Sequence, residues 1–252
     1  MRKIVITILL SLFLCLPTMA DFTDGAGYTG GTANYTRVSG YYAGGGGEFT
    51  IYESSNTNLL LSNDAYASTT SGLAGHSESF QTFCIETDEY SSNPMSIWVS
   101  TENINGSAGS HAWGGGSNSD TGDNLDSKTA WLYTQFATGN LADYAYTGTV
   151  NGLTRAQTAA ALQYLIWTTE GESGSVVNAI APNAAQLALI NNWNTLYGLS
   201  GWTGIGNVRV MQNSTLNGGA AQDFLFLTPV PGAVLLGMFG LSFAGIKLRK
   251  YA

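Results

Sequence analysis

The sequence predicts an α+β protein: an antiparallel β-sandwich or barrel-like body with a helical insert, preceded by a signal peptide and followed by a hydrophobic anchor helix. Three observations predict it. Strand-like segments lie at about 35–101 and again at about 205–228. Between them, at about 125–198, the texture changes to helical periodicity with recognisable caps and stops. Both chain ends carry apolar runs flanked by basic residues.

At the N-terminus, Arg2 and Lys3 precede an apolar run over 4–16, and Pro17 to Ala20 supply a helix breaker and a small residue for cleavage. This order predicts a signal peptide over 1–20 with the mature chain starting at Asp21, because the run is too short for a comfortable span. Residues 21–33 are Gly-rich and read as loosely ordered. A strand is expected over 35–42, a turn over 43–47 and a returning strand over 48–53. Residues 79–87 alternate well, with Phe80, Thr82, Cys84 and Glu86 on one side and Gln81, Phe83 and Ile85 on the other. Another strand is expected over 95–101, then a Gly/Ser/Asn-rich loop over 105–124.

Asp126 is placed to cap a helix over 127–138 with Gly139 as its stop. Thr154 caps a second helix, 155–169, ended by Gly171. Pro182 opens a third over 183–197, ended by Gly198. Strands resume over 207–213 and 222–227. On the second helix Ala159, Leu162 and Ile166 form one stripe, and Ala156, Ala160, Gln163 and Trp167 form the next.

At the C-terminus Thr228, Pro229, Val230, Pro231 and Gly232 form a non-helical stop. An apolar segment follows over 233–246, and Lys247, Arg249 and Lys250 close the chain. The basic end is expected to stay cytoplasmic, with the body on the far side of the membrane. A proline pair, a short span and a basic end resemble the PEP-CTERM sorting signal, although no Glu stands between Pro229 and Pro231. The resemblance covers 229–252 and implies an exosortase-type sorting enzyme as partner, transient membrane insertion, and a final place at the cell surface or in the extracellular matrix. An ordinary C-terminal membrane anchor is the alternative.

The body, 21–228, holds all 17 acidic residues of the chain and only Arg37, Lys128, Arg155 and Arg209 as basic ones, a net charge of −13. Such a body excludes a nucleic-acid partner, since phosphate binding needs a basic surface. Its one cysteine is Cys84. An exported protein usually pairs its cysteines or avoids them, so a lone thiol asks for a reason. It can be a packed apolar residue, half of an intermolecular disulfide, a nucleophile, or half of another covalent bond.

Phe83-Cys84 on a strand, with Leu162-Gln163-Tyr164-Leu165-Ile166-Trp167 on a later helix, resembles the Cys-Gln thioester domains of bacterial surface adhesins. The helix around Thr129 to Phe136 and the pair Glu170/Glu172 resemble the version found on PEP-CTERM proteins. The resemblance implies that Cys84 supplies sulfur and Gln163 the acyl group of an internal thioester. Phe83, Trp167 and Ala160 would line its pocket, and an amine on a surface ligand would be its target. The reaction would be a single event rather than turnover, and the chain is not expected to be an enzyme. Leu162 and Leu165 stand where the better-known Gram-positive form has Thr and often Ala. Lys128 is the only lysine of the body, which would limit self-crosslinking.

Other chemistry finds less support. A cysteine hydrolase would need His76 or His111 as base, and both stand in Gly/Ser-rich sequence without a catalytic frame. Asp120, Asp123 and Asp126 lack the EF-hand pattern, so neither metal nor cofactor is expected. Trp98, Trp113 and Trp202 could stack on sugars. The alternative function is therefore a non-covalent structural or polysaccharide-binding matrix protein in which Cys84 is merely buried.

Overall fold

The computed structural model describes residues 29–52, 79–87, 93–100, 125–217 and 220–227. All belong to one compact unit, Phe22–Pro229. The leader over 1–20, the sorting motif Pro229 to Gly232 and the apolar segment over 233–246 lie outside the described residues, as do His76, His111, Trp113, Asp120 and Asp123. Among the described residues no helix is long and apolar enough to cross a membrane.

Six strands form one antiparallel sheet: β1 (Thr29–Thr36), β4 (Phe49–Tyr52), β5 (Ser79–Thr82), β6 (Met95–Ser100), β9 (Val208–Thr215) and β10 (Ala220–Leu227), in the order β10-β9-β6-β1-β4-β5. The two edges then meet. Leu225 N–H donates to Phe83 O at 3.1 Å and Ile85 N–H to Asp223 O at 3.2 Å, which makes Cys84 the bridge partner of Phe224. The sheet is thus nearly closed, and Cys84 sits at its seam. Closure satisfies edge N–H and C=O groups that would otherwise stay unpaired.

The helices are α1 (Ser127–Ala137), α2 (Arg155–Thr169), α3 (Ser175–Ala179) and α4 (Ala184–Ser200). Asp126 caps α1 through Lys128 N–H. Thr154 with Gln157, and Asn183 with Gln186, form reciprocal capping boxes at the starts of α2 and α4. Two small hairpins complete the body: β2 (Tyr42–Ala43) with β3 (Gly46–Gly47), and β7 (Thr149–Val150) with β8 (Leu153–Thr154).

The α2 helix is central. It packs against β2, β3, α1 and α4, and ten of its 15 residues are buried. Buried residues thus lie on most sides of the helix, the run from Thr158 to Gln163 included, rather than along one stripe. The core runs from this helix into the sheet, where Phe80 and Phe226 approach to 5.9 Å between ring centroids. Each such ring contributes roughly 1.5–3 kcal/mol by leaving water.

Several expectations need correction. The strand expected over 79–87 ends at Thr82, because the next three residues leave β4 and turn to β10. The strand expected over 35–42 begins earlier, at Thr29, and Tyr42 belongs to the separate β2. Gly198 does not stop α4. The helix continues to Ser200, and Gly201 ends it in the left-handed conformation at φ 66°. The short helix α3 was not expected.

Candidate functional site

The seam brings the body's cysteine against the middle of α2. Cys84 Sγ–H donates to Gln163 Oε1 at 3.4 Å, and Gln163 Nε2 donates to Cys84 O at 2.7 Å. The carboxamide is thus held at both ends by one residue. Its acyl carbon, bonded to Oε1, is the atom that a sulfur nucleophile must reach. Cys84 is 1% and Gln163 0% exposed, so the amide is a buried polar group with its bonds supplied inside the protein.

The β2–β3 hairpin closes over Gln163. A Cβ added at Gly46 would stand 3.3 Å from Gln163 Cγ and 2.5 Å from Ile180 Cδ1. Only glycine lets this backbone come so close. The hairpin is fastened from two sides. Arg37 donates from Nη1 to Gly44 O at 3.2 Å and from Nη2 to Gly46 O at 2.8 Å. Behind it, Glu48 accepts from Arg155 Nε at 2.7 Å, from Arg155 Nη2 at 2.8 Å and from Tyr144 Oη at 2.6 Å. This buried fork ties the strand that follows the hairpin to the first residue of α2. Burial pushes the Glu48 carboxyl up despite its cation, whereas the pairing raises Arg155.

The residues expected to support the pair are placed differently from one another. Trp167 is buried one turn beyond Gln163, and its indole Nε1 has no hydrogen-bond partner. It nonetheless lies near enough to favour the ionised form of Cys84. A donor that is idle beside a neutral thiol gains a bond when negative charge develops there. Ala160 is buried one turn before Gln163 but stands outside the main apolar cluster. Phe83 is buried with its ring edge-on to Phe136 at 4.9 Å, so it anchors the seam to α1.

Burial pushes the Cys84 thiol up to about 12; Arg37 and Trp167 oppose that rise, and Glu172 adds to it. Glu172 is held by Thr87 Oγ1, while Glu170 accepts from the Asp126 backbone N–H. Glu170 and Glu172 thus connect the end of α2 to both neighbouring segments. Among the described residues no cluster of His, Cys, Asp or Glu could hold a metal ion. Asp126 serves as a helix cap, and the Trp202 indole N–H is engaged by Gly204 O at 2.8 Å.

Sequence reasoning singled out neither Arg37 nor the Glu48–Arg155–Tyr144 cluster. The available signal was scarcity: three of the four basic residues of the body are arginines, and an arginine that opens an otherwise apolar helix needs a buried partner. What the fold and site define is a mixed α/β body with a nearly closed antiparallel sheet and a buried cysteine–carboxamide pair at the seam. No family model, no curated protein and no solved structure matches the chain.

Proposed function

We propose that this chain is an exported adhesion protein of the cell surface or extracellular matrix whose Cys84 and Gln163 form an internal thioester. The observation that carries the reading is the double contact between the Cys84 thiol and carbonyl and the Gln163 carboxamide. Sulfur attacks the acyl carbon, the C–S bond forms, the C–N bond breaks, and the thiol proton leaves with the amide nitrogen as ammonia. Fixed proximity supplies most of the rate, since correct placement replaces a large entropic cost. An amine on the target then attacks the same carbon. An amide to Gln163 forms and Cys84 is released as a thiol. The event occurs once per molecule and is not enzymatic turnover.

In this reading the barrel-like body carries its helical insert as the acyl-bearing part, the segment over 1–20 is a signal peptide, and 229–252 is a PEP-CTERM-type sorting tail with an anchor helix. An exosortase-type enzyme would release the body from a transient inner-membrane anchor. A non-covalent matrix protein is the second reading, and the high pKa of the buried thiol favours it, because a thiol near 12 is a poor nucleophile at neutral pH.

Methylamine separates the two. In the thioester protein it exposes one titratable thiol and adds to Gln163, as peptide mapping would show, and Cys84→Ala does neither. A wild-type protein whose thiol is free before methylamine is added, with Gln163 unmodified afterwards, contradicts the thioester.

A further inference from the structure

Arg37 follows β1 and reaches under the hairpin that covers Gln163. Its guanidinium lies 3.8 Å from the Tyr42 ring centroid and 4.8 Å from that of Phe49, with two nitrogens bonded to Gly44 O and Gly46 O. Its Nε is buried without a hydrogen-bond partner. No carboxylate pairs with it in a salt bridge among the described residues, whereas Arg155 has Glu48. Arg37 is the strongest electrostatic influence favouring the ionised form of Cys84, Trp167 adds a donor, and Glu172 acts in the opposite sense. Tyr35 and Tyr42 are the other titratable groups acting on Arg37.

We propose that Arg37 is a positioning residue for acyl transfer at this site: it clamps the β2–β3 hairpin over Gln163 and, from that clamp, holds a fixed positive charge within electrostatic reach of Cys84 as its sulfur becomes negative. The proposal rests on the thioester reading for its reaction. When an amine attacks the acyl carbon, a C–N bond forms and the C–S bond breaks with its electron pair going to sulfur. The proton lost by the amine passes to the thiolate or to water. The thioester is neutral and the departing sulfur is anionic, so a fixed, half-buried cation acting on a buried sulfur favours the transition state more than the ground state. The same charge assists formation, where the thiol sheds its proton. Arginine suits the place because it stays charged when partly buried and offers its donors in a rigid fork.

The test uses the full-length chain with Arg37→Met, Arg37→Lys and Arg37→Gln. Methylamine opens the thioester of R37M at least tenfold more slowly than that of wild type, and R37K, which keeps the charge, stays within about threefold. The second readout needs no thioester: in a Gln163→Ala background the thiolate absorbance of Cys84 appears at higher pH with R37M than with Arg37 or R37K. A clamp without electrostatic influence would leave that onset unmoved. Equal opening rates in R37M and wild type, or an unchanged onset, overturns the proposal. If R37M fails to fold, R37Q removes the charge while keeping a donor for the hairpin carbonyls, and the same two readouts decide. If wild type carries no thioester, the adhesin reading fails, and the onset alone still decides whether Arg37 governs the sulfur.

Discussion

Replacing Arg155 with Met strips a buried carboxylate of its cation. Glu48 is 0% exposed and receives two hydrogen bonds from Arg155, at 2.7 and 2.8 Å. After R155M only the Tyr144 hydroxyl remains on it, at 2.6 Å, and Met returns no charge. Breaking a buried pair from one side costs about 3–5 kcal/mol, which for a domain of this size lowers Tm by roughly 10 °C. The orphaned carboxyl escapes part of that cost by taking up a proton on folding. Its folded pKa, already raised by burial, then rises further above the unfolded value of about 4.3. The sign follows: between those two values the folded state binds the proton that the unfolded state has released. Stability of R155M therefore falls as pH rises, by about 1.4 kcal/mol per unit, until the folded pKa is passed. Urea denaturation at pH 5, 6 and 7 reads this slope against wild type. The double variant E48Q/R155M restores at least half of the loss and removes the slope, since a neutral amide still accepts from Tyr144. A loss below about 1 kcal/mol in R155M, or a double variant equal to the sum of the two singles, would refute the reasoning.

Further outcomes follow from the same structure. In a Cys84→Ala background, where the Gln163 carboxamide stays intact, adding Gln163→Ala leaves the carbonyl of position 84 without its donor and costs about 1–3 kcal/mol in denaturant unfolding. The free thiol left by Q163A also creates an alkaline limb. The folded thiol, pushed up to about 12, keeps a proton that the unfolded thiol releases near pH ~8.5, so stability falls through that window in Q163A. The double variant C84A/Q163A lacks this limb, and so does a wild-type protein whose thioester has formed. Trp193→Phe removes the 2.6 Å bond from the indole N–H to Ala142 O and costs about 1–3 kcal/mol, seen as a lower thermal midpoint.

The helical part of the fold was legible because helix ends carry local signals. Thr154 marked the start of α2, and Asp126 and Gly139 framed α1. Gly198 misled because glycine inside a helix costs only about 1 kcal/mol, which the buried Leu189, Ile190 and Trp193 of α4 offset, so the stop fell at the next glycine. The seam could not be read from alternation. Phe83, Cys84 and Ile85 continue the strand pattern of β5, and only the position of β10 draws them away from β4. Each half was legible on its own only as a candidate, Cys84 as the one cysteine of a body expected to be exported and Gln163 by its place beside small alanines and a Trp, and their pairing was legible only through the resemblance to thioester domains. What covers them was not. The run of glycines at 44–47 has no side-chain pattern, and its role as a close-fitting lid depends on Ile180 and, through Glu48, on Arg155, both far away in sequence.

The central claim is that Cys84 and Gln163 react with each other, and the mass of the intact protein tests it most directly. The purified chain is predicted to be lighter than its sequence by one ammonia, with C84A and Q163A each at full mass. After methylamine, wild type gains one methylamine. A wild-type chain at full unmodified mass, with Cys84 titrating as a free thiol on unfolding, would contradict the account and leave the pair as a hydrogen-bonded contact in the core.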